Sequence, residues 1–163
     1  MIKNKLVAAI AAIAAIGDRL LGCPRFEFAN IGEGTYQTGN MSRLADAALS
    51  TRHLCVKIGS DVNHVAVAAA ADIALGVAND AAEAAEDPVN VQILGRADGT
   101  ILMTASGAIA LGAMVVTDAS GKIRTLPGTT GTYYIIGRAL EAAGADGDVI
   151  NVAHCFPIQR VVP

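Results

Sequence analysis

Tryptophan is absent from this 163-residue chain, and aromatic residues together make up only 4% of it. Such side chains usually anchor deep ligand pockets and interface hot spots. Their scarcity points toward extensive packing of small residues and away from an aromatic-lined cavity. Charge is spread as thinly. Twelve basic and fifteen acidic residues give a net −3, with no Lys/Arg cluster able to neutralise several phosphates at once. Direct nucleic-acid binding therefore has no support. Cysteine is sparse and odd in number. Cys23, Cys55 and Cys155 are irregularly spaced, which makes no disulfide framework and suits a reducing folding environment. Long apolar runs are missing too. The run Leu6–Ile16 is only eleven residues, too short to span a bilayer.

What the chain does contain is self-similarity. Residues Ala74–Val91 lie over Ile135–Val152 without gaps, at an offset of 61 residues, and eight of eighteen positions are identical. A repeat at fixed offset signals one supersecondary unit used twice. Neither copy carries an obvious catalytic group. Ala78–Ala85 and Ala139–Ala145 have helix-forming composition, but both are short and the second contains Gly144. The favoured pattern is strand, Ala-rich connection, strand. Asp148 opens the last strand after Asp146-Gly147, and Pro88 stands at a strand start, where proline is tolerated. The two copies are expected to form equivalent hairpins within one barrel.

Beyond residue 50 the sequence alternates short β-type runs with turn residues. His53–Ile58, Val89–Leu94, Thr100–Met103, Ala113–Thr117, Lys122–Leu126, Tyr133–Ile136 and Asp148–His154 are the expected strands. Asp98-Gly99 marks a tight turn. Many short strands at this spacing predict a mainly β chain, a compact β-barrel or sandwich domain over residues 51–163. Residues 1–50 form the other expected division, an N-terminal helical or extended arm.

That arm admits two readings. Lys3 and Lys5, the apolar run, and Leu20-Leu21-Gly22-Cys23 resemble a secretory signal ending in a lipoprotein cleavage box, which would anchor an envelope lipoprotein through Cys23. Asp18 and Arg19 interrupt the stretch where it should stay hydrophobic. The other reading is an Ala-rich helix with Leu6, Ile10, Ile13, Leu20 and Leu21 near one face and Val7 and Ile16 flanking it, used for docking. Cys23–Asn40 follows as a loop-like segment holding Phe26, Phe28 and Tyr36, half of the aromatics, and so reads as an extended piece pinned by contacts.

Reactive constellations are few. His53 and Cys55 lie two apart on an expected strand, hence on one face, and His154-Cys155 are adjacent. Four such groups would suit zinc. Adjacent strand residues point to opposite faces, however, and no Cys-x-x-Cys is present. Gly32-Glu33-Gly34 and Gly128-Thr129-Thr130-Gly131 lack the fixed positions of a phosphate cradle. No nucleophile elbow occurs. No catalytic site, metal or cofactor is expected.

Gly137–Val152, with the preceding Ala108–Asp118, resembles the closing hairpin and the apolar, Gly-containing stretch of small tailed-phage capsid cement, or head decoration, proteins. The likeness covers roughly residues 66 to 155. It implies a compact β-rich domain, commonly a homotrimer, that is made in the host cytoplasm and sits on the outer surface of the virion head. The implied partner is the major capsid protein, with neither membrane nor nucleic acid bound. On that reading Leu6, Val7, Ile10, Ile13, Leu20, Leu21, Phe26, Phe28 and Tyr36 are the candidate capsid contacts.

Overall fold

The computed structural model describes residues 39–163. They contain ten strands, β1 (Asn40–Ala45), β2 (Leu54–Ile58), β3 (His64–Val67), β4 (Gly76–Ala78), β5 (Pro88–Ile93), β6 (Ile101–Ser106), β7 (Met114–Thr117), β8 (Ile123–Thr125), β9 (Gly131–Ala139) and β10 (Asp146–Val162). No helix occurs among them, so the mainly β expectation holds, while the N-terminal arm lies outside the described residues. The strands close into two five-stranded barrels, β1-β3-β2-β4-β5 and β6-β8-β7-β9-β10. Closure removes the free sheet edges that would otherwise invite aggregation.

Both barrels follow one connection scheme. The first strand runs parallel to the third, in β1/β3 and in β6/β8, while every other neighbour is antiparallel. The register matches as well. Ala78 opposes Val91 as Ala139 opposes Val152, and Leu44 opposes Pro88 as Thr104 opposes Val149. The 61-residue repeat is thus one hairpin from each barrel, β4–β5 and β9–β10, and not two hairpins of a single barrel. Loops of unequal length shift the offset between the other strands, and that shift hides the rest of the duplication from an ungapped comparison.

The identical repeat positions have physical causes. A Cβ on Gly76 would lie 2.6 Å from Val91 Cγ1, and one on Gly137 would lie 2.7 Å from Val152 Cγ1. Only glycine admits the partner strand that closely. Asp87 accepts the backbone N–H groups of Glu83 and Ala84 at 2.8 and 2.9 Å, and Asp148 accepts those of Gly144 and Ala145 at the same distances. Each carboxylate thereby ties down the turn before its strand. Asp80 and Glu141 accept the N–H of Asn90 and Asn151 at 3.2 and 3.1 Å. Ala82 and Ala143 are buried and exchange paired backbone bonds with Leu49 and Ile109.

Barrel 1 fills its interior with Val56, Val65, Val89 and Val91, closed by Ala45, Leu49 and Ala78. Strand β2 shows why a single alternating face is not enough here. Leu54, Cys55 and Val56 are all buried. Val56 belongs to the barrel-1 interior, whereas Cys55 belongs to a larger cluster with Ile101, Met103, Ile123, Ile136 and Val152 of barrel 2. The seam is hydrogen-bonded too. Thr104 N–H donates to His53 O at 3.0 Å, Cys55 N–H to Gly121 O at 2.6 Å, and Gly95 N–H to His154 Nδ1 at 2.9 Å. Both barrels therefore belong to one compact unit.

Candidate functional site

Every candidate contact named from the sequence (Leu6, Val7, Ile10, Ile13, Leu20, Leu21, Phe26, Phe28 and Tyr36) lies outside the described residues, as does Cys23. Residues 40–45 form β1, whose backbone pairs with β3 and β5, and Leu49 bridges to Ala82. The segment just before the expected division at residue 50 is therefore built into barrel 1.

The four candidate zinc ligands do not converge. His53 precedes β2 in a left-handed conformation, with φ of 65°, so it does not share a strand face with Cys55. Cys55 is fully buried in the seam, and burial pushes its thiol up to about 12. A thiol so reluctant to ionise is a poor ligand and a poor nucleophile. His154 uses Nδ1 to accept from Gly95, while the Cys155 Sγ faces Ile135 O at 3.9 Å. Among the described residues no three His, Cys, Asp or Glu side chains are grouped to hold a metal ion.

Exposed apolar surface is the more prominent feature. Past the second barrel, β9 and β10 continue as a two-stranded ribbon in which Ile158 opposes Ile135 and Val162 opposes Gly131. A register shift between His154 and Ile158 places Pro157 at an irregularity, where a proline inside a strand costs little. Phe156, Ile158 and Val161 are 58%, 56% and 62% exposed. The sequence carried a signal for this, the spaced Phe156, Ile158 and Val161, just past the expected end of the last strand at His154. Between the ribbon and the rim of barrel 1 lies a groove of about 630 Å³, lined by Ile58, Ile73, Leu75, Leu94, Tyr134 and Phe156 among others. Ion-paired Lys57 and Asp72, 2.8 Å apart, stand at its side. Exposed apolar side chains beside such a groove make it the candidate contact surface among the described residues.

An ionic clamp holds the adjoining turn. His64 Nδ1 lies 2.7 Å from Asp61 Oδ1, and Nε2 lies 3.0 Å from Glu86 Oε1. Both partners are carboxylates, so both ring nitrogens donate and the imidazolium is the matching form. The bonds to Asp61 and then to Glu86 raise the His64 pKa above its ordinary value, while the His64 bond lowers that of Asp61. In barrel 2 the equivalent of His64 is Lys122, whose Nζ lies 2.7 Å from Asp146 Oδ1. Nothing in these groups assembles a nucleophile, a base and an oxyanion site.

No curated protein matches the chain. The N base of the head fiber gp8.5 of bacteriophage phi29, known from its crystal structure, has a similar fold, with a TM-score of 0.51 and 21% sequence identity over 76% of this chain and 96% of that one. A family profile described as phage cement protein matches residues 44–154, a span running from β1 of the first barrel into β10 of the second. The chain belongs to the phage cement protein family, and its role is a structural one in the phage particle.

Proposed function

We propose that the protein is a head decoration protein that binds the outer surface of the capsid and braces contacts between major capsid subunits, acting as a homotrimer. The observation that carries this reading is the family match, which takes in parts of both barrels. The exposed apolar ribbon and the groove beside it support it by offering surface for sister subunits or shell to cover. The mechanism is area and not bond-making, so the protein is not an enzyme. A capsid is a closed array of weakly bonded subunits, and each bound copy adds interface free energy across a seam. At about 25 cal/mol per Å² of apolar area buried, less the cost of association, small contacts repeated over a lattice add up.

Residues 1–22 supply the principal shell contact in this proposal, through Leu6, Val7, Ile10, Ile13, Leu20 and Leu21, and Phe26, Phe28 and Tyr36 are the second set of contacts. Co-sedimentation with purified phage heads tests it. The full chain is expected to saturate heads, and the chain lacking residues 1–22 to stay in the supernatant while keeping a β-type circular dichroism spectrum. Saturation of heads by the truncated chain would remove the arm from the mechanism. Sedimentation equilibrium of the full chain tests the trimer directly.

A further inference from the structure

The seam inside the chain joins two unlike faces, and the duplication shows where each face recurs. Register supplies the counterparts. Cys55 opposes Val77 as Met114 opposes Arg138. Val56 opposes Val67 as Val115 opposes Thr125, which sets Leu126 against Ala68. Met41 opposes Val91 as Ile101 opposes Val152, and Arg43 opposes Val89 as Met103 opposes Ile150. Leu75 lies 61 residues before Ile136, within the ungapped repeat. Left-handed backbone falls at matched turns as well, at His53 and Gly112 and at Glu86 and Gly147.

Barrel 1 puts Cys55, Ala68 and Val77 into the shared seam cluster, and barrel 2 puts Ile101, Met103 and Ile136 there, all of them buried. None of their six counterparts is buried. On barrel 2, Met114 is 44% exposed, Arg138 is exposed and Leu126 is half-buried. Leu111 and Leu140, 71% and 44% exposed, stand beside them, where Gly112 N–H donates to Ala139 O. On barrel 1, Met41, Arg43 and Leu75 are half-buried and line a groove of about 460 Å³ with Ile58, Val62 and His64. Four of the six counterparts are apolar, and Met114 and Leu126 are larger than the Cys55 and Ala68 they correspond to. A face kept for water alone has no need of them.

An interface between unlike faces can repeat from chain to chain until it closes. Within the chain, the Cys55 face of barrel 1 covers the Ile101 face of barrel 2. One face of each kind is left open among the described residues, the Met114 face on barrel 2 and the Met41 groove on barrel 1. We propose that a second copy of this chain closes them, its Met114 face seated in the Met41 groove, so that the contact between copies repeats the seam within each copy. This interface rests on the homotrimer proposed for the protein and supplies its contact. Three chains of two barrels each then form a ring in which every such face is covered. Arg138 brings a cation to a groove whose lining includes the Asp61 carboxylate, so charge is matched while apolar area is buried.

Sedimentation of the full chain and of surface variants tests this. Met114→Asp spoils the face on barrel 2, and Val62→Asp, at a side chain 76% exposed, spoils the groove on barrel 1. Each variant alone is expected to lose the trimer and sediment as a monomer while keeping its β-type circular dichroism spectrum. Mixed in equal amounts, the two are expected to form a mixed dimer and nothing larger, because one intact groove meets one intact Met114 face. Phe156→Asp, on the ribbon, is expected to stay trimeric. Should Met114→Asp lose the β-type spectrum, Leu111→Asp reads the same face under the same expectations. A trimer formed by Met114→Asp or Val62→Asp overturns the repeated seam and leaves the homotrimer standing, as does a mixture that stays monomeric or a trimer lost in Phe156→Asp alone. Trimeric variants that no longer co-sediment with heads give both faces to the shell and overturn it too. A full chain that is monomeric at every concentration overturns the homotrimer, and this interface with it.

Discussion

Barrel 1 carries His53 and Glu86 where barrel 2 has Gly112 and Gly147, and barrel 2 carries a ribbon that barrel 1 lacks. Elsewhere the two are wired alike, from the parallel first and third strands to the Asp that secures the last turn. What is shared is what the backbone demands, and what differs concerns the outside. The close approach of β4 to β5 recurs as that of β9 to β10, because any Cβ at Gly76 or Gly137 would collide with main chain. The ribbon and the left-handed pair have no such necessity. They are the places where one copy departed from the other without breaking the barrel.

The strongest way to break the comparison is at those glycines. Gly76→Ala and Gly137→Ala are each expected to cost about 3 kcal/mol, since backbone must move in either case. Chemical denaturation would measure it. Because Cys55, Val77 and Leu94 of barrel 1 share a core with Ile101 and Met103 of barrel 2, each variant should shift one cooperative transition and not create a second. A biphasic curve for either variant would mean that the barrels fold separately.

Removing the turn carboxylates is milder. Asp87→Ala and Asp148→Ala each abandon two backbone N–H groups in exposed turns and are expected to cost about 1 kcal/mol, equal within error. A marked inequality would show that one turn is held by something besides its Asp.

The smallest effect is one of pH. His64 binds its proton more tightly in the folded chain, so its contribution is complete below its ordinary value of 6.5 and fades as pH rises through the higher folded value. Asp61 is shifted down, so its contribution is present above its ordinary 3.8 and fades as pH falls through the lower folded value. The clamp is complete between roughly pH 4 and 6.5. His64→Lys copies barrel 2, where Lys122 stays charged, and is expected to flatten the stability profile from about pH 6 to 9. A profile unchanged by the substitution would clear His64 of the dependence.

Several strands were legible because they are locally emphatic. β2, β5, β7 and β8 are apolar or alternating runs ended by turn residues, and Pro88 opens β5 as anticipated. β1 and β3 were not legible. Asn40–Ala45 contains no β-branched residue, and its extended form depends on β3 and β5 on either side. His64–Val67 is a short piece of an Ala-rich stretch, and its extended form depends on β1 and β2 on either side. The zinc reading assumed that His53 lay in a strand, and a left-handed residue just before β2 undoes that geometry. The ribbon went unread because Pro157 masks it locally, and the groove because its two walls come from different barrels.

The sequence by itself determined the repeated hairpin, since Gly76, Asp87, Val91 and their counterparts act through contacts within that hairpin. It also determined the mainly β character, through short apolar runs and turn residues. Only the tertiary structure decided that there are two barrels and not one. Closure depends on β1 meeting β5 and β6 meeting β10, pairings between distant segments that no local pattern encodes. The same long-range packing decided which face of β2 lines a barrel and which lies in the seam. Burial on both faces is a property of the neighbours, not of Leu54, Cys55 and Val56 alone.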